Sequence, residues 1–188
     1  MRVISGTARG RRLRELSGTE TRPTTDKVKE SIFNIIQFDI EGRRVLDLFA
    51  GTGQLGIEAL SRGAASCTFV EVRREAAALV RENLAHTALP GGTVVQGDFL
   101  AFLTGCREKF DLVFLDPPYA SGQLEKALET IAAIDIISEH GIIICESARE
   151  TLLPALPTPY EKGREYHYGK IKITLYHRGL DGSPERGS

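Results

Sequence analysis

The sequence lacks several features that would assign it to a specialised class of protein. It has no tryptophan and only three cysteines, Cys67, Cys106 and Cys145, and none has a partner at the spacing of a zinc site or redox motif. No apolar run approaches the ~20 residues that span a bilayer, and no signal-peptide block opens the chain. We therefore expect buried free thiols, no disulfide, no metal, no membrane contact and a cytoplasmic location.

The chain also lacks a large net charge, since its 24 basic residues are balanced by 25 acidic ones. The balance nevertheless changes along the chain. Residues 1–30 carry eight basic and four acidic residues, and residues 160–188 carry six basic and four acidic ones. The middle of the chain has the remaining ten basic and seventeen acidic residues. The first fourteen residues include five arginines and no acid: Arg2, Arg9, Arg11, Arg12 and Arg14. This segment has the charge to contact several phosphates, although a solvated tail has the same composition.

The order of apolar patterns predicts an α/β protein. Residues 1–16 alternate apolar and basic stretches around two glycines, which favours a small hairpin or arm. A helix follows, with Thr24, Thr25 and Asp26 as capping residues. From residue 44 onward, apolar strand candidates alternate with helical stretches; the strands are predicted at 45–49, 68–72, 93–96, 110–115 and 142–146, and the helices at 54–62, 75–86 and 123–134.

The end of the chain departs from this alternation. Residues 160–167 and 170–177 read as two strands joined around Gly169, so an antiparallel hairpin is expected at the edge of the parallel sheet. The predicted divisions are a basic arm over 1–22, a main domain over 23–178, and a disordered tail over 179–188.

A glycine-rich turn follows the first predicted strand. Gly51-x-Gly53-x-x-Gly56 has the spacing of a dinucleotide-binding loop, and Glu71 lies 20 residues after Gly51 at the end of the next strand. The glycines permit close approach of a ligand, and the acid can accept hydrogen bonds from ribose hydroxyls. Both NAD and S-adenosylmethionine need these groups, so the spacing leaves both cofactors open.

Two further acids favour S-adenosylmethionine. Asp47 ends the first predicted strand, where a carboxylate could bind the ammonium of a methionyl group but would repel a pyrophosphate. Asp98 follows the third strand, where it could receive an adenine amino group. Each acid also has a structural interpretation, Asp47 as a capping or salt-bridged residue and Asp98 as the cap of a helix beginning at Phe99.

Asp116-Pro117-Pro118-Tyr119 follows the buried strand predicted at 110–115. Two successive prolines make a stiff, extended corner that fixes the directions of Asp116 and Tyr119. Asp116 and the Pro117 carbonyl could accept the two hydrogens of an exocyclic amine, so that its lone pair faces a methyl donor, while Tyr119 stacks on the base. A plain turn with a packed tyrosine is the alternative, but the end of a parallel strand is where such sheets bind ligands.

With these motifs in place, the chain resembles the class I S-adenosylmethionine-dependent methyltransferases, and more narrowly the bacterial 16S ribosomal RNA guanine-N2 methyltransferases that modify guanine 966. The resemblance extends from about residue 2 to 176. It rests on residues 4–6 and 9–13, the Arg22-Pro23-Thr24-Thr25-Asp26 segment with its helix to residue 34, the loop from Asp47 through residue 64, the Asp116 corner, and Tyr168-Gly169. Ser5 and Gln54 depart slightly from the family pattern.

The resemblance implies a Rossmann-like, seven-stranded, mostly parallel sheet and an N-terminal arginine cluster that grips ribosomal RNA. It also places Arg22, Thr24 and Thr25 near the cofactor and target base. The predicted cofactor contacts are Asp47, Phe49, Ala50, Gly51, Thr52, Gly53, Glu71, Val72, Asp98, Phe99, Asp116, Arg22, Thr24 and Thr25; the predicted catalytic residues are Asp116, Pro117, Pro118 and Tyr119.

The expected activity is methyl transfer from S-adenosylmethionine to the N2 amine of a guanine in 16S ribosomal RNA, acting as a monomer on the small subunit or its assembly intermediate. The corner alone does not select guanine, because adenine and cytosine also carry exocyclic amines. Methylation of DNA adenine or protein glutamine, an NAD(P)-dependent oxidoreductase, and a noncatalytic RNA-binding module are the alternatives.

Overall fold

A computed structural model describes residues 1–16, 26–119 and 121–180. Strands and helices alternate through most of the described chain. The helices are α1 (Asp26–Ile35), α2 (Gln54–Ser61), α3 (Arg74–Thr87), α4 (Phe99–Gly105) and α5 (Gln123–Ile134). The strands are β1 (Arg44–Asp47), β2 (Ser66–Glu71), β3 (Gly92–Gln96), β4 (Phe110–Leu115), β5 (Ile137–Ala148), β6 (Tyr160–Tyr168) and β7 (Ile171–Arg178).

The seven strands form one sheet in the order β3-β2-β1-β4-β5-β7-β6. Strands β1 to β5 pair in parallel, whereas β7 pairs antiparallel with both β5 and β6. The order of the parallel strands reverses between β1 and β4, which creates a crevice beyond their carboxyl ends. The predicted parallel sheet and antiparallel C-terminal hairpin are confirmed.

The central strands β1 and β4 are largely apolar on both faces because helices cover each face. Val45 and Leu112 belong to a core beneath α1, α2 and α3, whereas their neighbours Leu46 and Val113 belong to a core beneath α4 and α5. This alternation follows from the two-residue period of a strand. It explains why these strands appear in the sequence as unbroken apolar runs rather than as alternating ones.

The N-terminal segment forms a small hairpin that lies on α2. Arg2 and Arg12 form an antiparallel bridge, and the amide of Val3 donates to the Arg11 carbonyl at 2.9 Å. The side chains of Val3, Ala8 and Leu13 are buried in the core under α1 to α3. The basic arm is therefore anchored to the main domain rather than suspended in solvent.

A buried carboxylate holds the hairpin in place. Glu58 accepts the amides of Ile4 and Ser5 at 2.8 and 2.9 Å, and its carboxylate lies 3.6 Å from the Lys29 ammonium and 2.8 Å from Arg62. Burial lowers the pKa of Lys29, against the opposing effect of Glu58. The hairpin, α1 and α2 thus meet at one charged cluster.

Several predicted boundaries differ from the observed ones. β1 ends at Asp47 rather than at residue 49, because the chain already curves into the glycine loop. β5 begins at Ile137 rather than at residue 142, with a change of register against β4 between Phe110 and Leu112. Cys67 and Cys145 are buried as expected, but Cys106 is only half-buried. The proposed helix caps Thr24 and Thr25, and residues 181–188 of the predicted tail, lie outside the described residues.

Candidate active site

A cleft of about 570 Å³ opens at the carboxyl ends of β1, β2 and β4. The glycine loop and the Asp116 corner, which are far apart in the sequence, both line this cleft. The cleft is lined by ten of the predicted cofactor residues: Asp47, Phe49, Ala50, Gly51, Thr52, Glu71, Val72, Asp98, Phe99 and Asp116. All four predicted catalytic residues also line it. The structure therefore brings the two sequence motifs into a single concave site.

The glycine loop has the backbone geometry that its sequence requires. Gly51 and Gly53 have φ angles of +57° and +83°, which L-residues with side chains rarely adopt. Gly53 is the N-cap of α2 and lies behind the cleft lining, against Val80. A Cβ atom on Gly56 would lie 2.3 Å from the Phe69 ring, so this glycine permits α2 to pack closely on β2.

Asp47 lies at the base of the cleft as an incompletely satisfied acid. Its Oδ2 accepts the Gly56 amide at 3.1 Å, so the capping interpretation is correct. Within the described part of the chain, its buried Oδ1 has no hydrogen-bond partner, and neither does Oε1 of Gln54, which also lines the cleft. Two buried acceptors without donors mark a place where a donor-bearing ligand would be stabilised.

The electrostatics of Asp47 support this conclusion. Burial raises the pKa of Asp47 to about 7, the neighbouring Glu71 charge adds to the rise, and the Gly56 amide opposes it. A cation bound beside Asp47 would favour the ionised carboxylate and lower that pKa. The methionyl ammonium of S-adenosylmethionine is a group of this kind, so the residues present fit that cofactor.

Glu71 ends β2 and stabilises the glycine loop. Its Oε2 accepts the Gly51 amide at 2.8 Å, and its Oε1 accepts the backbone and side-chain nitrogens of Arg73 at 2.9 and 3.1 Å. A carboxylate offers about four acceptor positions, so these bonds leave capacity for a ribose hydroxyl. Glu71 therefore has a structural part in shaping the cleft besides the ligand contact predicted from the sequence.

Asp98 and Phe99 form the far end of the cleft. Asp98 is the N-cap of α4, since its Oδ1 accepts the amides of Leu100 and Ala101 at 2.9 and 3.1 Å. The Phe99 ring packs against Phe49 with ring centroids 5.0 Å apart, and Val72 remains 64% exposed at the rim. Apolar side chains lining a cleft, such as Val72 and Phe99, suit a flat aromatic ring.

The Asp116 corner is joined to the next strand by a side-chain hydrogen bond. The Tyr119 hydroxyl donates to Oε1 of Glu146 at 3.0 Å. Glu146 is 5% exposed and lies near the end of β5, one residue beyond the Leu115–Cys145 pair. The corner therefore contains two carboxylates, Asp116 and Glu146, on adjacent parallel strands.

Glu146 was not among the residues predicted from the sequence. It does carry the signal that identified Asp47 and Glu71, an acid at the end of an apolar strand, but its proximity to Asp116 depends on the pairing of β4 with β5. Met1, Glu15, Gln54, Arg73 and Gln123 are further lining residues that the sequence interpretation omitted. Met1 and Glu15 reach the cleft only because the hairpin folds back on α2 and α3.

The five N-terminal arginines occupy different environments. Arg11 donates to the His86 carbonyl at 2.7 Å, and Arg14 pairs with Glu82 at 2.7 Å. Arg2 lies 3.7 Å from Asp26. Among the described residues, Arg9 and Arg12 form no side-chain hydrogen bond or ion pair, and both are exposed. These two are the arginines with the most freedom to meet an external anion.

Three predicted contacts, Arg22, Thr24 and Thr25, lie outside the described residues. Across the described ranges, no three His, Cys, Asp or Glu side chains come together as metal ligands would. None of the described helices has both the length and the apolar character needed to cross a membrane.

The strand order, the glycine loop after β1 and the acid ending β2 together define a class I S-adenosylmethionine-dependent methyltransferase fold. Comparison with known proteins narrows this class to a family. The chain belongs to the family described as Conserved hypothetical protein 95, whose model matches residues 1–177.

Similar proteins span nearly the whole chain. It is 43% identical over 180 residues to "Putative rRNA methyltransferase YlbH" of Bacillus subtilis, covering 94% of this chain and 98% of that protein. It is 35% identical over 185 residues to "Ribosomal RNA small subunit methyltransferase D" of Escherichia coli, covering 98% and 93%. The solved structure of "Putative methyltransferase yhhF" from Escherichia coli matches with a TM-score of 0.87 at 34% identity, covering 95% and 98%. The predicted family, fold and cofactor are confirmed.

Proposed function

We propose that the protein transfers a methyl group from S-adenosylmethionine to the N2 amine of a guanine in 16S ribosomal RNA. The observation that carries the proposal is the single cleft that the glycine loop and the Asp116-Pro117-Pro118-Tyr119 corner both line. The names of the similar proteins supply the substrate class, ribosomal RNA of the small subunit. The guanine N2 target comes from the sequence resemblance.

Each part of the cofactor has residues that suit it. Asp47 and Gln54 offer buried acceptors for the methionyl ammonium, and Glu71 offers its remaining acceptor positions to the ribose. Val72 and Phe99 would hold the adenine between them, with Asp98 near its amino group. When bound, S-adenosylmethionine supplies an electrophilic methyl group on a sulfonium.

The corner residues orient the acceptor amine. Asp116 accepts one N–H of the amine and the Pro117 carbonyl accepts the other, so the nitrogen lone pair points toward the methyl carbon. Tyr119 stacks on the base after it leaves its helix or loop. The amine loses one proton as the new N–C bond forms and the methyl–sulfur bond breaks, with its electron pair left on sulfur, and either Asp116 or solvent accepts that proton. Alignment and exclusion of water account for most of the expected acceleration.

The RNA contacts are assigned to the exposed part of the hairpin. Arg9 and Arg12 have no described intramolecular partner, so they can neutralise phosphates without breaking an existing ion pair. Arg2 forms only a long, exposed contact, and Arg11 and Arg14 are already used in holding the hairpin to α3. We expect Arg9 and Arg12 to contribute most of the phosphate affinity of this segment.

The test is to incubate the purified protein with methyl-labelled cofactor and small subunits from cells that lack this modification. Digestion of the RNA to nucleosides identifies the product. Label in N2-methylguanosine supports the proposal, whereas label only in adenine, cytosine or protein would contradict it. Parallel reactions with naked 16S RNA and DNA establish the substrate form.

An Asp116→Asn variant tests the role of the corner. Asparagine retains one acceptor oxygen but loses the negative charge beside the amine. We expect a loss of about 10²-fold or more in kcat, comparable to the loss of one preorganised hydrogen bond in other active sites. Because Asp116 also lines the cofactor cleft, cofactor affinity is measured alongside and kcat is compared at saturating cofactor. Unchanged methylation by this variant would mean that Asp116 does not orient the amine.

A further inference from the structure

A second cavity of about 180 Å³ adjoins the corner. It shares Pro117, Pro118, Tyr119 and Glu146 with the cofactor cleft, so these four residues form the boundary between the two spaces. Its volume is smaller than the ~300–1,000 Å³ of pockets that hold whole drug-sized ligands, as expected for a site that receives one base. A base held here would have its exocyclic amine at the boundary with the cofactor cleft.

Glu146 is the charged side chain within this boundary. It is 5% exposed, and its Oε1 is held by the Tyr119 hydroxyl at 3.0 Å. Since Glu146 follows the Leu115–Cys145 pair of adjacent parallel strands, it lies beside Asp116, which follows Leu115. An ionised carboxylate accepts hydrogen bonds and cannot donate them. When both side chains are ionised, the two adjacent carboxylates present only acceptors to the base.

The three amine-bearing bases differ in what they offer to such a pair of acceptors. Guanine has two neighbouring donors on its Watson–Crick edge, N1–H and the N2 amine. Adenine and cytosine place a ring nitrogen that accepts hydrogen bonds next to the amine. A buried carboxylate opposite that ring nitrogen would be repelled and left without its partner, which is the strongest form of discrimination that hydrogen bonding provides.

We propose that Glu146 selects guanine by accepting its N1–H while Asp116 accepts a hydrogen of the N2 amine. This inference rests on the proposed function and adds to it the group that chooses the base. Tyr119 has two parts in the arrangement, since its ring stacks on the base and its hydroxyl fixes the carboxylate of Glu146. The cavity beyond the corner is the receiving site of the flipped base.

The test compares Glu146→Gln with Tyr119→Phe on two substrates. Small subunits from cells that lack the modification are prepared with the natural target guanine or with adenine at that position. Wild-type protein should prefer guanine strongly. For Glu146→Gln, the ratio of guanine to adenine kcat/KM should fall by about 10²-fold or more, because the amide can donate to the adenine ring nitrogen.

Tyr119→Phe is the matched control because it removes the hydroxyl that binds Glu146 and keeps the aromatic ring. We expect it to lower the rate on guanine while the ratio of guanine to adenine changes by less than about tenfold. Cofactor affinity and the melting midpoint of both variants, measured alongside, establish that the cleft is intact.

The possible failures are distinguishable. Glu146→Gln could lose activity equally on both substrates, or its ratio of guanine to adenine kcat/KM could equal that of Tyr119→Phe. Either result would mean that Glu146 only positions Tyr119, and the inference would be overturned. If wild-type protein methylates no guanine in either particle, the proposed function itself fails. A cofactor affinity that falls for Glu146→Gln assigns the residue to the cofactor cleft and also overturns the inference.

Discussion

Protonation of the buried Asp47 side chain affects both the stability of the fold and the binding of the cofactor. Its pKa is raised to about 7 by burial, whereas an unfolded chain would leave it near the ordinary value of 3.8. Because the folded pKa is higher, the folded state binds the proton more tightly. The stability that this proton contributes is fully present below about pH 4 and is lost as the pH rises through about 7.

The free energy of unfolding of the cofactor-free protein should therefore fall more steeply with rising pH than that of its Asp47→Asn variant. Each unit of pKa shift corresponds to about 1.4 kcal/mol, so the contribution of Asp47 to the free energy of unfolding should fall by a few kcal/mol between about pH 4 and 7. Asparagine cannot ionise, so the variant should lack this component. Denaturant titrations of both proteins across that range measure the difference. Parallel pH profiles would contradict a raised Asp47 pKa.

Cofactor binding should show the opposite dependence on pH. The methionyl ammonium favours the ionised carboxylate, so affinity for S-adenosylmethionine should rise with pH up to about 7, by at most tenfold per unit. Binding below that pH should release a proton. Calorimetry in two buffers with different ionisation enthalpies measures the release, and Asp47→Asn should bind more weakly without releasing it. If the wild-type protein releases no proton on binding, Asp47 does not bind the ammonium.

At the scale of secondary-structure elements, the hairpin and the glycine loop are connected through buried polar side chains. The Asn83 amide of α3 donates to the carbonyls of Thr52 and Arg14 at 3.0 and 3.2 Å. Glu58 of α2 accepts the amides of Ile4 and Ser5. The hairpin thus lies against the helices that support the cofactor loop, and its Met1 and Glu15 line the cleft.

Gly6 and Gly10 provide a matched test of how tightly the hairpin docks. Both have positive φ angles, +85° and +82°. A Cβ on Gly6 would lie 1.8 Å from the Ser61 carbonyl oxygen, whereas a Cβ on Gly10 would meet nothing within 4 Å. Gly10→Ala should cost only the ~1–2 kcal/mol of a left-handed alanine. Gly6→Ala should cost more, because the hairpin must move away from α2.

Hydrogen exchange measures this difference locally. Gly6→Ala should speed exchange at the amides of Ile4, Ser5 and Ala8, which bond to Glu58 and Ser61, more than Gly10→Ala does. The strands of the central sheet should keep their protection in both variants. Equal exchange of the hairpin in the two variants would mean that contact with Ser61 does not hold it in place.

At the scale of the whole molecule, arginines lie both on the hairpin and in the segments that precede β1 and β4. Arg9 and Arg12 are exposed near the turn of the hairpin, which contacts Ser61 at the end of α2, whereas the ends of the hairpin, at Met1 and Glu15, line the cleft. Arg43 and Arg107 precede β1 and β4, so they lie at the amino edge, away from the cleft. Removing two charges from either place changes the net charge equally but should affect RNA binding differently.

The double substitution Arg9→Gln and Arg12→Gln should weaken RNA binding and reduce the slope of log affinity against log salt by about 1.4–1.8, for two phosphate contacts. Arg43→Gln with Arg107→Gln should leave the slope nearly unchanged. Titrations of 16S RNA or small subunits at several salt concentrations measure both slopes. An equal effect of the two pairs would indicate general charge attraction instead of a docked hairpin.

Much of the fold could be predicted because its signals are local. The apolar runs ending at Asp47, Glu71 and Asp116 identified three parallel strands, and glycine spacing identified the cofactor loop. The exact ends of the strands were harder to predict. β1 stops where the chain curves into the glycine loop, and β5 begins five residues before its predicted start, where its register against β4 changes. Asp98 had two possible roles in the sequence, and the structure shows its capping bonds in detail.

The amino-acid sequence by itself determined the alternation of strands and helices, the glycine loop and the stiff Asp116 corner, since each depends on residues close together in the chain. Only the tertiary structure decided which side chains meet. It placed Glu146 beside the corner through the pairing of β4 with β5. It also left Asp47 and Gln54, two residues that line the cleft, with buried acceptor atoms that have no partner among the described residues. It also divided five exposed arginines into three that form a hydrogen bond or ion pair and two, Arg9 and Arg12, that form none with the described residues. These outcomes depend on neighbours distant in sequence, which no local pattern records.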